Sequence, residues 1–560
     1  MSAAIEPAAP AADVVFVDGR VHTVDGADRV TEALAVRDGR VLATGASAAI
    51  RQHVGRSTVV VDLAGRSLVP GFVDNHIHLS NATQRAWVDV SYPACRSIDE
   101  IVAAVAARAA SAPPGTWLLA RGFDPARLRE GRAPTRLDLD PATADHPVGI
   151  ANREGMGWTF NTAGLRRIGV TDATPDPPGG PLARDPQGRP LGPMWDNART
   201  VFVNPNLPVP DLAAQAAACA RLARDLNAVG VTTAFEASWR RPIDAAAWRV
   251  VQSAAAPSLR VLLEPYPLHG DTWDEQGTAG SVAASGVATG FGSPWLRLGA
   301  LQLGVDGGIL GRTAALDAPY SDDPTGTLRG SFRASAGTLA AAVRRGFADD
   351  WQVGLICHGD AGIGRALDAL AAGLASLPSP DRRPRLEHAY LWTPALMDRA
   401  ATLGVTWNTQ PAMLAVAGRG ATIDAWGDRA RWAFPFRSLL ERDVAISSGS
   451  DWGVGPLDPI AAMDALVTHR LDPDGGAVLN VDETLSVAQA LRVMTIGSAK
   501  AGFLESEIGS LEPGKRADLA ILAADLAGVA TIELRRIRVD ETWLDGIRVW
   551  RRDPRGRPGA

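Results

Sequence analysis

From about residue 212 to residue 452 the chain alternates short apolar runs with Ala-rich stretches of helical period, and this alternation restricts the fold more than any other feature. AAQAAACARLARDLNAVG leads into VTTAFEA; SLRVLLEPYPL, WLRLGALQLGVDG, VGLICHG, RPRLEHAYL, VTWNTQP and VAISSGSDW follow in turn. Repeated strand and helix alternation of this kind predicts an α/β fold, a TIM-like (β/α)8 barrel. The two ends of the chain read differently. Residues from about Asp13 to Val69 form β-branched runs (VVFVDGRVHTV, ALAVRDGRVLATG, STVVVDLAGRSLV) broken by Asp-Gly and Gly-Arg turns, and GSLEPGKRADLAILAAD and ETWLDGIRVWRR repeat the pattern near the C-terminus. The ends are therefore expected to pair into one accessory β-sandwich, residues 1–70 with 501–560, around a barrel at 71–500. Residues from about 113 to 210 are rich in Pro and Gly (TPDPPGGPLARDPQGRPLGP) with few convincing helices, and read as an insertion on the substrate side of the barrel.

Composition narrows the partners. At 560 residues and 46% hydrophobic content the chain can bury a large core. Its 62 acidic and 56 basic residues give a net charge of -6 without long runs of one sign, which implies neither nucleic acid nor an anionic membrane as a partner. Cys95, Cys219 and Cys357 are scattered, with no CxxC spacing, so neither a disulfide framework nor a thiolate zinc cluster is expected. The N-terminal stretch lacks a signal-peptide pattern, and no apolar run approaches ~18 residues. A cytoplasmic chain acting on a small molecule follows as the expectation, with a homodimer left open.

The chemistry is concentrated at predicted strand ends. LVPGFVDNHIH sets His76 and His78 at i and i+2 after an apolar run, on one face of a strand, where both imidazoles reach the same ion. His358 in LICHGDAG, His388 in RPRLEHAYL and Asp451 in ISSGSDW are metal-ligand residue types in the same position on three other strands. Active sites of such barrels gather at the C-terminal ends of their strands. Singly, each histidine is more often structural; together they predict a metal site of His76, His78, His358, His388 and Asp451. His22, His53, His146, His269 and His469 lack this placement.

These residues resemble the amidohydrolase superfamily, in its amidohydrolase-3 branch of formamide-deformylase-like metal-dependent hydrolases. The resemblance runs nearly end to end through PGFVDNHIH, VDGGILGRTAALDAPY, HGDAG, RLEHAYLWTPALM, NTQP, SGSDWGVGPLDPI, LSVAQAL and EIGSLEPGKRADLAIL. It implies that His76, His78 and His388 are metal ligands and that Asp451 is the acid/base residue. The chain also departs from the family pattern. Gln302 stands where relatives carry a lysine able to bridge two metals, and the only lysines, Lys500 and Lys515, lie beyond the last predicted barrel strand. His358 stands two residues beyond the usual fifth-strand histidine, as a ligand or a substrate contact, and Met156 and Met413 replace two further histidines. Without the bridging carboxylate a single ion is expected, zinc first, with iron, manganese or nickel as alternatives. Glu264 or Glu236 could replace the bridge, although a salt-bridged glutamate is the commoner state.

Arg312, Asn161, Trp158, Met413 and Gln302 are the candidate substrate-binding residues, Arg312 equally readable as a structural ion pair. Trp407 and Trp452 suggest an aromatic, apolar pocket. The expected activity is hydrolysis of a non-peptide carbon–nitrogen bond in an amide, formamide, carbamate or cyclic amide. Asp451 serves as general base toward a metal-activated water, and His388 or His358 steadies the oxyanion. The alternatives are a metal-dependent lyase or isomerase, and a non-catalytic ligand-binding protein.

Overall fold

The computed structural model describes residues 10–177, 180–253, 257–379, 381–472, 476–526, 528 and 531–553. Parts of the expected flanking modules, residues 1–9 and 554–560, lie outside the described residues. The chain separates into two compact units, residues 1–79 with 219–560, and residues 80–218.

The first unit carries the parallel strands, which alternate with helices along the chain. They are β1 (Phe72–Ile77), β2 (Val231–Trp239), β3 (Arg260–Pro265), β4 (Leu296–Leu298), β5 (Leu301–Gly304), β6 (Val353–Cys357), β7 (Arg385–His388), β8 (Thr406–Thr409) and β9 (Ala445–Ser448). One sheet has the order β4-β3-β2-β1 and the other β5-β6-β7-β8-β9, all neighbours parallel. Strands such as VGLIC of β6 are buried at every position, as parallel strands covered on both faces must be. Only Gly299 and Ala300 separate β4 from β5. Where β9 ends beside β1, a Cβ on Gly449 would sit 2.5 Å from Cβ and the backbone N of His76. Glycine is required for this approach.

In the same unit the two chain ends share one mixed sheet, because Leu519–Leu522 pairs antiparallel with Ser67–Pro70, and Val539–Leu544 extends it. A second sheet, of Arg40–Gly45, Ala33–Arg37, Val14–Val17 and Val59–Asp62, meets it through a common core. Phe16, Leu34 and Val36 there pack with Leu68, Leu519, Ile521 and Trp543. Arg260, the first residue of β3, ties this terminal region to the parallel strands. Its guanidinium bonds Asp518 at 2.8 and 3.1 Å and Asp545 at 2.7 Å.

The second unit carries more regular structure than its Pro and Gly content suggests. It holds a six-stranded sheet ordered Leu182–Arg184, Pro190–Trp195, Gly157–Phe160, Val148–Asn152, Leu118–Phe123, Val88–Asp89. Some glycines here mark close approaches: a Cβ on Gly149 would lie 2.8 Å from the Phe160 ring. The helix Ile98–Ala109 starts at Ser97, whose hydroxyl accepts from the Glu100 N–H.

Arg260→Met would leave the buried Asp518 carboxylate without its guanidinium, at a cost of roughly 3–5 kcal/mol. A urea denaturation midpoint well below that of the parent is the expected outcome; an unchanged midpoint would show that these ion pairs do not hold the terminal sheet in place.

Candidate metal centre

The C-terminal ends of the parallel strands bring together the ligand-type residues. His76 lies in β1, His78 just past it, His358 just past β6, His388 at the end of β7, and Asp451 shortly after β9. His78 Nε2 is 3.1 Å and His76 Nε2 3.9 Å from Asp451 Oδ1. One ligand atom from each of these three residues lies within 4.8 Å of the others, a spacing that could hold one ion. The His388 ring is 4.7 Å from that of His76 and stacks at 4.4 Å on His358.

Hydrogen-bond bookkeeping assigns the tautomers of these rings. The Nδ1 of His76 faces Glu387 Oε2 at 2.9 Å, that of His78 faces the Ala237 carbonyl at 3.2 Å, and that of His358 faces Asp306 Oδ1 at 3.3 Å. Each partner only accepts, so each Nδ1 carries the proton. The Tyr390 hydroxyl donates to Gln410 Oε1 at 2.9 Å, which leaves it to accept from His388 Nδ1, also at 2.9 Å. With Nδ1 donating in each ring, Nε2 is the remaining ligand atom, and those of His76 and His78 beside the Asp451 carboxylate fit a divalent cation. Burial, reinforced by the His358, His76 and His78 charges, holds His388 well below the usual histidine range.

Behind the cluster runs a buried charged chain. Arg385 in β7 donates to Glu387 Oε1 at 2.7 Å and to Glu264 Oε1 at 2.6 Å, and Asn408 donates to Glu387 Oε2 at 2.5 Å. Burial pushes the Glu264 carboxyl up to about 7 against the pull of Arg385. Burial would also raise Glu387, but Arg385 and His76 outweigh it and hold this carboxyl below its ordinary range. Gln302 Nε2 donates to Glu264 Oε2, while its Oε1 accepts from the Ser238 N–H at 3.2 Å.

Strand ends at the site are bent to aim these groups. His388 has φ 67° and Asp451 φ 50°, in the left-handed region that L residues rarely adopt. The Asp451 N–H donates to the His76 carbonyl at 2.7 Å, and the Ser450 N–H to Asp74 Oδ1 at 2.8 Å, which fixes the turn after β9 to β1.

Other expectations are placed elsewhere. Asn161 is fully buried in the second unit, accepting from the Val148 and Gly164 N–H groups and donating to the His146 carbonyl, so it is a helix cap and not a substrate contact. Trp158 packs in that unit's core, stacked on Phe160 at 5.7 Å. Arg312 pairs with Asp322 and donates to the Gly420 carbonyl at 2.8 Å, which realises its ion-pair reading. Gln302 is buried against Glu264 and Ser238. Met413 is 4% exposed at the start of a helix, and Trp407, buried against Phe436, donates to the His388 carbonyl at 2.7 Å. Glu236 lies on the opposite strand face from Phe235, whose ring is 5.7 Å from the Arg385 guanidinium, so it is turned away from the charged chain. Glu387, Arg385, Asp306 and Tyr390 escaped the sequence reading. For Arg385 and Glu387 the signal was present in RLEH, where a charged pair at i and i+2 in an apolar run marks an inward polar face.

Glu387→Gln should remove the anion that fixes His76 and weaken metal binding by about 10–100-fold. Chelator competition would measure it; unchanged affinity would detach Glu387 from the metal centre.

Residues 59–550 match the model of the amidohydrolase family. The chain is 29% identical to the N-substituted formamide deformylase of Arthrobacter pascens over 96% of its own length and 98% of the relative's. It is 28% identical to the protein LONG AFTER FAR-RED 3 of Arabidopsis thaliana, over 93% and 88% respectively. In fold it is similar to an uncharacterized metal-dependent hydrolase from Pyrococcus horikoshii OT3, with TM-score 0.72 and 24% identity over 92% of this chain and 99% of that one. Strand-end histidines, the facing aspartate and the end-to-end family match converge: the chain belongs to the amidohydrolase family of hydrolases.

Proposed function

We propose that this protein hydrolyses a non-peptide carbon–nitrogen bond, in an amide, formamide, carbamate or cyclic amide of a small molecule, at one metal ion held by His76, His78 and Asp451. The observation that carries the reading is the convergence of two Nε2 lone pairs on Asp451 Oδ1, at 3.1 and 3.9 Å. In this reading β4 and β5 are one interrupted strand of a (β/α)8 barrel spanning about residues 71–500, with both chain ends forming the accessory sandwich. The similarity to a formamide deformylase supports the bond type.

A divalent ion at this place acidifies water and polarises a carbonyl oxygen. Asp451 takes the proton of the attacking water and delivers it to the leaving nitrogen. Its φ of 50° and its N–H bond to the His76 carbonyl hold the carboxylate in place for both transfers. His388 and His358 offer lone pairs, so they accept a hydrogen bond from water or a substrate N–H, or add a ligand. Zinc suits two imidazoles and a carboxylate, with iron, manganese and nickel as the alternatives. A single ion is favoured because Gln302 supplies a neutral amide where a bridging anion would be needed, and Glu264 is committed to Arg385 and Gln302. The three buried cysteines without disulfides accord with a reducing, cytoplasmic setting.

Elemental analysis of the purified protein should give about one metal per chain, and a value near two would reject the single-ion reading. Asp451→Asn keeps an oxygen beside His78, so it should retain metal while losing on the order of 10²–10⁴-fold in turnover. Full activity in that variant would reject Asp451 as the base.

A further inference from the structure

The segments that follow β5 and β8 are fastened to each other by bonds that the hydrolytic reading does not use. Arg429 in the second segment donates to the Ala318 and Pro319 carbonyls of the first, at 3.0 and 2.6 Å. The Ser321 N–H donates to the Ala425 carbonyl at 2.8 Å, and Arg312, paired with Asp322, donates to the Gly420 carbonyl at 2.8 Å. In the sheet β6 and β7 lie between β5 and β8, so these bonds reach across the two strand ends that carry His358 and His388. The second segment also runs along the chain just past β7, where the Phe434 N–H donates to the Tyr390 carbonyl at 2.9 Å.

The piece that Arg429 holds, residues 316–330, is a body with its own internal bonds. The Leu316 N–H donates to the Arg329 carbonyl at 2.9 Å and the Tyr320 N–H to the Leu328 carbonyl at 2.8 Å, which joins its two sides. The Asp323 carboxylate closes the tip by accepting from the Thr325, Thr327 and Leu328 N–H groups. Residues 324–329 are exposed. One root is pressed on the turn that carries His358: the Ala315 N–H donates to Asp306 at 2.9 Å, the carboxylate that also accepts from the His358 N–H, and a Cβ on Gly359 would collide with the Ala315 carbonyl. The other root is Gly330, with φ 68°, where a Cβ would collide with the Ala314 carbonyl, so only glycine turns the chain there. The far side is fastened to Arg429 through backbone carbonyls, and such bonds exchange for bonds to water at small net cost, unlike a buried ion pair.

We propose that residues 316–330 are a flap across the strand ends of the metal centre, closed as it stands with Arg429 as its clasp, and that it swings on Ala315 and Gly330 to admit the substrate. A rigid body between two narrow roots, held on its free side by exchangeable bonds, moves as a unit when the clasp lets go. That the space it guards is a metal centre rests on the hydrolase reading; the flap itself does not.

The test is a disulfide that locks the flap. A Cβ on Gly427 would lie 3.3 Å from Ser321 Cβ, close to the separation of about 3.5–4.5 Å in a disulfide, so Ser321→Cys with Gly427→Cys joins the flap to the clasp segment. The three native cysteines are buried and leave this pair as the reactive one. Zinc loss to excess EDTA should be about 10–100-fold slower in the oxidised double variant than in the same protein reduced, and about 5–50-fold faster in Arg429→Met than in the parent. Hydrogen exchange, which needs no metal, should slow across 316–330 on oxidation and quicken there in Arg429→Met. Equal zinc loss from the oxidised and reduced forms overturns the proposal, and so does exchange in 316–330 that Arg429→Met leaves unchanged. Two thiols that stay unlinked under oxidant overturn the closed geometry. Exchange that responds to both changes in a protein that holds no zinc leaves the flap standing and counts against the hydrolase reading, so the two failures are distinguishable.

Discussion

Arg385 is the interaction on which the centre of this protein depends. It is fully buried and spans from Glu264 on β3 to Glu387 on its own strand, so one guanidinium balances two carboxylates that water does not reach. Neither glutamate could remain ionised in that place alone, because removing one partner of a buried pair leaves a charge whose desolvation is uncompensated. Through Glu387 the balance extends to His76, and through Glu264 to Gln302 and Ser238. The ligand end of the site and the strands that carry it are thereby parts of one hydrogen-bonded array.

The array also sets what the histidines can do. A carboxylate, a backbone carbonyl, a second carboxylate and a tyrosine hydroxyl each accept from one Nδ1, which leaves Nε2 as each ring's remaining ligand atom. The left-handed backbone at His388 and Asp451 costs on the order of 1–3 kcal/mol each, and the surrounding bonds hold it. Strain of this kind persists where packing over-determines it. Here the packing is β9 against β1, with Gly449 pressed on His76 and the Asp451 N–H on the His76 carbonyl.

Much of the plan was legible in one dimension. Burial agrees with the period along most of β2, β3 and β5 to β9, because parallel strands covered on both faces are enclosed, with polar members such as Arg385 and Glu387 paired to one another. The HxH pair, His388 and Asp451 were legible because strand ends are where a ligand-type residue after an apolar run has no packing reason to be. The residues missed were those whose role lies in a partner from another strand. Tyr390 looks like any aromatic until Gln410 and His388 stand on either side of it, and Asp306 looks like a turn aspartate until the His358 N–H is bonded to it. Conversely, Asn161 and Trp158 looked available and are spent inside their own unit. The six-stranded sheet of residues 80–218 was hidden for a related reason, since glycines such as Gly149 and Gly157 serve close packing within its strands.

Sequence alone determined the alternation of strand and helix, the pairing tendency of the two ends, the ligand types, and the absence of a usable lysine at the site. Those are properties of residue identity and spacing, which are local. Only the tertiary structure decided that Gln302 answers Glu264, that Glu387 orients His76, and that Asp451 faces the Nε2 atoms of His76 and His78. Each of these is a match between groups tens to hundreds of residues apart. A hydrogen bond or charge pair has meaning only once both partners have been brought within about 3–4 Å and out of water.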